Sequence, residues 1–181
     1  YNDPGILRNL HEFAQKNTNL PFLLEEPIVR LVDPDLAEHP FLYLTGHGDV
    51  LFSDEEISRL RAFLLAGGFL YADDDYGMDE SFRREMKKVF LEKSWVELAK
   101  SHPLFSDFFQ FPTGAPKIHK HHDGPPRVLA IYDRARIIVL YTFDTNISDG
   151  WADPEVHQDP PALRQAALQF GVNILLLPFL Q

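Results

Sequence analysis

Three adjacent carboxylates, Asp73, Asp74 and Asp75, follow directly after an apolar run at residues 69–72. Alternate side chains of an extended chain point to opposite faces, so Asp73 and Asp75 are expected on one side and Asp74 on the other. Carboxylates that share a side are oxygen donors suited to a divalent metal ion or to the hydroxyl groups of a polyhydroxyl ligand. The alternative is that they cap the following helix and line a solvated loop.

A second polar segment follows the apolar run at residues 41–44 and consists of Thr45, Gly46, His47 and Gly48. The helical pattern between the two runs predicts a parallel β-α-β unit, and open α/β sheets bind ligands at the carboxyl ends of such strands. We therefore expect both polar segments at one edge of the sheet. The glycines would let backbone amides approach a ligand, although a tight turn explains them equally well. Neither a phosphate-binding loop nor a dinucleotide-binding motif is present.

The proline-rich segment 111–127 is predicted to be a long loop and contains His119, His121 and His122. His119 and His121 could ligate zinc or a similar ion from one face, with a third ligand from elsewhere. Exposed histidines without a ligand are the alternative. The predicted divalent metal site consists of His47, Asp73, Asp75 and His119.

Residues 144–150 resemble a calcium-binding loop, but Gly150 lies one place later than the EF-hand pattern requires. A turn built from Asp and Asn side chains fits the segment better, and Asp144 stays a candidate ligand-binding residue. Trp151 could be a stacking platform for a sugar or a lid over the core.

Composition limits the class of protein. The length of 181 residues predicts a single domain. The net charge of -10 argues against nucleic-acid binding, which requires a basic surface. The chain contains no cysteine, which excludes thiolate nucleophiles and cysteine-ligated zinc. The apolar run at residues 174–180 is too short to span a membrane and contains Pro178. The expected partner is a polar small molecule or a protein.

Hydrophobic periodicity predicts alternating strands and helices. Strands are predicted at residues 28–32, 41–45, 69–72 and 95–98, and a hairpin at 128–132 and 137–141. Helices are predicted to start at Asp3-Pro4, at a capping box of Ser53 and Glu56, at Asp79, at Pro103 and near Pro161. The predicted fold is α/β, with a doubly wound, mostly parallel sheet, helices on both faces and a β-hairpin near the C-terminus.

Several motifs occur in a fixed order along almost the whole chain. They are residues 1–4, residues 40–48, residues 67–70 with Asp73-Asp74, His102-Pro103, residues 116–119, residues 144–150 and residues 171–174. Together they resemble the bacterial domain of unknown function 4159 family. The resemblance implies a flavodoxin-like fold related to the class I glutamine amidotransferase-like superfamily, with a further strand preceding Tyr1. It also implies a bacterial exported or periplasmic protein, and it implies no established activity.

Amidotransferase relatives carry a nucleophilic cysteine at the turn where this chain has Asp73, Asp74 and Asp75, which argues against ammonia release from glutamine. No catalytic residue is assigned. The leading hypothesis is a non-catalytic binding module for a polar small molecule or a protein partner at the C-terminal strand edge. One alternative is a metal-assisted hydrolase acting on a sugar or ester-like substrate. The other is a structural domain of a bacterial cell-envelope assembly.

Overall fold

The computed structural model describes residues 5–21, 26–120 and 123–181. The strands are β1 (Phe41–His47), β2 (Phe69–Tyr76), β3 (Val96–Glu97), β4 (Arg127–Asp133) and β5 (Arg136–Phe143). The α-helices are α1 (Ile6–Thr18), α2 (Asp54–Leu65), α3 (Asp79–Val89), α4 (Pro154–His157) and α5 (Pro161–Leu180). Short 3-10 helices occupy Leu36–Glu38, Pro103–Phe105 and Ser148–Trp151.

The strands form one five-stranded sheet in the order β1-β2-β5-β4-β3. β1 pairs with β2 in parallel, and β2 pairs with β5 in parallel. β4 is antiparallel to both of its neighbours, β5 and β3. Among the strands of the described residues, only β4 therefore runs against the others, so the predicted mostly parallel sheet and the predicted hairpin of β4 and β5 are confirmed.

Helices cover both faces of the sheet. On one face, Phe170 of α5 belongs to the same buried cluster as Tyr71 of β2, together with residues of α1. On the other face, Leu60 of α2 and Phe82 of α3 pack in a cluster with Leu70 of β2. Leu70 and Tyr71 are sequence neighbours that face opposite sides, as the pleat of a strand requires. The predicted placement of helices on both faces is confirmed.

Both ends of α2 are fixed by side chains. At its start, the Ser53 hydroxyl accepts a hydrogen bond from the Glu56 amide, and the Glu56 carboxylate accepts one from the Ser53 amide at 2.8 Å, as the sequence predicts. Beyond its end, Arg136 of the hairpin donates to the carbonyl oxygens of Leu64 and Gly68. Since unpaired carbonyls at a helix terminus need partners, Arg136 fixes the hairpin against the end of α2.

The C-terminal helix α5 is, among the described residues, the one helix long and apolar enough to cross a membrane. In this fold it packs along the sheet, and Phe170, Ile174 and Leu177 are buried in the core. The amide of Asn173 donates to the carbonyl of Leu104. The apolar composition of α5 thus matches a core helix and gives no clear sign of a membrane-spanning segment.

The predicted strand at residues 28–32 is wrong. The amide and guanidinium of Arg30 donate to the carboxylate of Asp33, which folds the segment into a turn, and Ile28 is 99% exposed. Local side-chain hydrogen bonds of this kind compete with strand pairing. The predicted helix start at Asp3-Pro4 lies outside the described residues.

Candidate functional site

The two polar segments predicted to converge lie side by side at one edge of the sheet. In the parallel pairing of β1 with β2, Thr45 is opposite Asp73 and Gly46 is opposite Asp74. A register shift between Gly46 and His47 then places His47 opposite Tyr76. The Thr45 hydroxyl donates to the backbone carbonyl of Asp73, which ties the two strands together at this edge. We call these strand ends, with the segments that contact them, the carboxyl edge.

Asp73 is fully buried and anchors the segment that follows β5. Its Oδ2 accepts hydrogen bonds from the amide and the hydroxyl of Ser148 at 2.8 and 2.7 Å. Its Oδ1 accepts from the hydroxyls of Thr142 and Thr145. Both oxygens of the carboxylate therefore serve the protein's own donors, and Asp73 holds the backbone of the carboxyl edge in place.

Burial also changes the acidity of Asp73. Removal of the carboxyl from water raises its pKa to about 7, although the hydrogen bonds from Thr142 and Ser148 favour the charged form. The negative charge of Asp149 adds to the increase. Asp73 therefore changes its protonation state near neutral pH.

Asp74 serves the start of a helix. Its Oδ1 accepts a hydrogen bond at 2.8 Å from the amide of Met78, the residue that precedes α3. A carboxylate in this position satisfies a free helical amide and interacts favourably with the helix dipole. The sequence predicts the start of this helix at Asp79, which is the first residue of α3 and forms an ion pair with Arg83. Asp74 therefore caps the following helix, which is the alternative to ligand binding that the sequence left open.

Asp75 supports a half-exposed histidine. Its Oδ2 lies 2.6 Å from Nε2 of His47, whose side chain is 47% exposed while that of Asp75 is buried. The Asn146 amide donates to Oδ1 of Asp75 at 2.9 Å and to its backbone carbonyl at 2.7 Å. The ring of Tyr76, which is 53% exposed, lies 6.2 Å from the His47 ring and nearly perpendicular to it. A fixed imidazole and an aromatic ring are thus presented to solvent together.

The two glycines of the first polar segment serve the backbone. Gly46 lies within β1. Gly48 has a φ of 79°, a left-handed conformation that a glycine adopts without steric cost, and its amide donates to the Tyr76 carbonyl at 3.0 Å. The Gly48 amide therefore holds the end of β1 to β2, in agreement with the tight turn that the sequence left open.

A second polar group continues from Asn146 through Asp149. Oδ2 of Asp149 is 3.3 Å from the Asn146 amide nitrogen and 2.8 Å from Nδ1 of His119. Nε2 of His119 is 3.2 Å from Oδ1 of Asp159, and the His157 ring centroid lies 4.9 Å from that of His119. Hydrogen bonds therefore connect the exposed His47 at one end of the carboxyl edge with His119 at the other.

The charges of this second group stabilise one another. The hydrogen bond to Asp149 raises the pKa of His119 against the effect of its burial, and the charges of Asp149 and Asp159 act in the same direction. Burial acts to raise the pKa of Asp149, but hydrogen bonds from His119 and Asn146 hold it below its ordinary value. With a carboxylate at each ring nitrogen, His119 donates to both when it is an imidazolium.

The four predicted metal ligands do not converge on one point. His47 and Asp75 contact each other, Asp73 is occupied by hydroxyl and amide donors, and His119 faces Asp149 and Asp159. The structure therefore does not bring the predicted set together around one point. His121 and His122 lie outside the described residues.

Asp144 lies at a turn and Trp151 lies in the core. Asp144 adopts a left-handed φ of 58° at the turn after β5, and its carboxylate lies against Gly124. Trp151 is 1% exposed, packs against Tyr43 and Tyr71, and donates its indole N–H to the carbonyl of Ala167. No ring face of Trp151 is open for a sugar, so the structure favours the lid over the core.

Sequence reasoning missed four polar residues of this edge: Asn146, Asp149, His157 and Asp159. The available signal was the run of Asp and Asn directly after β5, for which a turn was preferred to a calcium-binding loop and from which Asp144 alone was kept as a candidate. β5 lies next to β2, so its carboxyl end meets the same edge. His157 is the last residue of the short helix α4, and Asp159 follows it two positions later. Nothing in their spacing along the chain indicates that they lie near His119.

The model of a protein family described as a domain of unknown function, DUF4159, matches residues 1–178. No curated protein matches the chain.

Proposed function

The chain belongs to the DUF4159 family, whose description names no activity, and we propose that it is a binding module for a polyhydroxyl ligand at the carboxyl edge. The observation that carries the proposal is the pair of His47 and Tyr76, which is exposed to solvent while the partner of His47 is buried. A surface histidine loses side-chain entropy when it is fixed. Here a buried carboxylate, itself held by Asn146, fixes the imidazole beside an aromatic ring.

The chemistry of this pair suits a sugar-like ligand. The half-exposed imidazole can hydrogen-bond a hydroxyl group, and the half-exposed ring of Tyr76 can stack on the apolar face of a sugar ring. Binding sites of this kind combine an aromatic surface with a few placed polar groups. Tyr76 thus takes the stacking role that the sequence offered to Trp151.

Calorimetric titration of the protein, expressed without a histidine tag, tests the proposal. The probes are D-glucose, D-galactose, D-ribose and N-acetyl-D-glucosamine. We expect saturable binding of at least one probe and its loss in His47→Ala and Tyr76→Ala. Matched controls are His39→Ala and Phe108→Ala, which remove a histidine and an exposed aromatic elsewhere and should bind normally. Failure of all four probes, or equal binding by all variants, would contradict the proposal.

A metal-assisted hydrolase is the second proposal, and the cluster of His119, Asp149 and His157 favours it. A metal ion held there would lower the pKa of a bound water toward neutrality. The assay is hydrolysis of p-nitrophenyl glycosides and p-nitrophenyl acetate by tag-free protein. Turnover that is lost on chelation and in His157→Gln would support the hydrolase and contradict the non-catalytic module. Glutamine amidotransferase chemistry is not proposed because the chain contains no cysteine nucleophile.

We further propose a doubly wound, flavodoxin-like fold related to the class I glutamine amidotransferase-like superfamily. The parallel neighbours β1, β2 and β5 and the helices on both faces support it. An exported or periplasmic location and a structural role in a cell-envelope assembly are supported by the family resemblance alone. Fractionation of bacteria that express the protein tests the location, and recovery only in the cytoplasm would contradict it.

A further inference from the structure

Two histidines and one carboxylate converge away from the exposed pair of His47 and Tyr76. One nitrogen each of His119 and His157 and one oxygen of Asp149 all lie within 4.8 Å of one another, and each residue is partly buried. Two imidazoles and one carboxylate are a donor set typical of zinc and other first-row transition metals. Calcium and magnesium instead prefer oxygen ligands throughout.

Each of the three side chains comes from a segment that is anchored separately. The His119 segment is held by the Ile118 amide, which donates to the carbonyl of Thr145 at 2.8 Å. Asp149 lies in the 3-10 helix that Asp73 holds through Ser148. His157 ends α4, and the residue before α4, Asp153, accepts a hydrogen bond from Asn9 of α1 at 2.9 Å. The fold therefore fixes the three backbones without help from a ligand.

The surrounding side chains have the arrangement that orients metal ligands. Ligating histidines usually donate their second ring N–H to a carboxylate, and ligating carboxylates are themselves hydrogen-bonded. Asp159 lies 3.2 Å from Nε2 of His119, and Nδ1, which contacts Asp149 at 2.8 Å, would face the ion once it has lost its proton; Asn146 contacts Asp149.

The three ligand atoms must move to the spacing of a metal site to hold an ion. Ligand atoms about 2.1 Å from a tetrahedral zinc ion are roughly 3.4 Å from one another. Nδ1 of His119 and Oδ2 of Asp149 are 2.8 Å apart and must separate slightly. His157 is only partly buried, so side-chain rotation can bring its nitrogen closer. Three protein ligands leave a fourth position for water or another small ligand.

We propose that His119, Asp149 and His157 bind a divalent first-row transition metal ion, best matched by Zn²⁺, and that Asp159 is a positioning residue for His119. This site is separate from the sugar-binding pair, and each can fail without the other.

The test measures metal uptake by tag-free protein. The protein is stripped with a chelator, loaded with Zn²⁺, desalted and analysed for zinc by mass spectrometry, and affinity is measured by competition with a chromophoric chelator. We expect one equivalent of zinc and a higher melting temperature. Asp159→Asn should bind about 10–100-fold more weakly, and His157→Gln more weakly still. The His157 change is at a partly buried site, so circular dichroism should show native structure.

The controls separate this site from others. His39→Gln should bind zinc like the wild type, and His47→Gln should lose sugar binding but keep zinc. Co²⁺ loading should give the visible absorption of a four-coordinate site in the wild type and not in His157→Gln. Substoichiometric zinc in the wild type, or equal zinc affinity in His157→Gln and the wild type, would overturn the proposal.

Discussion

Replacement of Asp73 by asparagine is expected to change the pH dependence of stability. The carboxyl has an ordinary pKa of 3.8 and a folded-state pKa of about 7. Between these values the folded protein keeps a proton that the unfolded chain has lost. The stability contributed by this proton is present at low pH and is lost as the pH rises through the folded pKa. At 1.36 kcal/mol per unit, the full difference is about 4 kcal/mol.

Asparagine can replace the protonated carboxyl without breaking the network. Its carbonyl oxygen can accept from the Ser148 amide, and its NH₂ group can donate to the Thr142 hydroxyl, which can rotate to accept. Asp73→Asn therefore removes the titration and keeps the anchor. Asp73→Ala also removes the titration but leaves the buried donors without an acceptor, so it should be about 3–5 kcal/mol less stable than Asp73→Asn at every pH.

Urea denaturation followed by tryptophan fluorescence at pH 4.5, 5.5, 6.5 and 7.5 measures the effect. The free energy of unfolding of Asp73→Asn, minus that of the wild type, should rise by about 3 kcal/mol over this range. Titratable groups that do not interact with Asp73 contribute equally to both proteins and cancel in this difference. Asp107→Asn, an exposed control, should follow the wild type. A difference between Asp73→Asn and the wild type that is constant across the pH series would refute the reasoning.

Three further changes test the packing, each by urea denaturation. Ser53→Ala should lower the free energy of unfolding by about 1 kcal/mol because it removes the cap of α2, and an unchanged urea midpoint would contradict the cap. Arg136→Ala should lose about 1–3 kcal/mol because helix-end carbonyls lose their donor, whereas Arg136→Lys should recover part of the loss. Gly171→Ala should lose about 1–3 kcal/mol, since the new methyl would lie 2.6 Å from Leu10 and 2.9 Å from Trp151. Stabilisation by Gly171→Ala, as helix propensity alone predicts, would show that α5 is packed more loosely.

Local signals in the sequence predicted much of the fold. The capping box at Ser53, the apolar runs of β1 and β2 and the hairpin strands were all identified, because each depends on residues close together in the chain. The side-by-side position of Thr45 and Asp73 followed from the β-α-β pattern. The strand at residues 28–32 was wrong because side-chain hydrogen bonds from Arg30 to Asp33 outweighed β propensity.

The candidate site was predicted only in outline because its partners come from distant parts of the chain. β5 lies between β2 and β4, so the residues after β5 reach Asp73 and Asp75 across about 70 positions of sequence. In this position Ser148 donates a hydrogen bond to the Asp73 carboxylate, and Asn146 donates one to Asp75. Trp151 was considered as a stacking platform because its burial depends on α5, a helix later in the chain that packs over it at Gly171. No spacing rule within a single sequence encodes these contacts.

The most direct test of the proposed binding function is to observe the imidazole of His47 while a ligand is added. Two-dimensional NMR of the tag-free protein with labelled histidines resolves its ring signals during titration with the sugar that binds best in calorimetry. The account predicts a saturable shift of the His47 signals, with the same affinity as in calorimetry and absent in Tyr76→Ala. Saturable binding that leaves the His47 signals unchanged would contradict it.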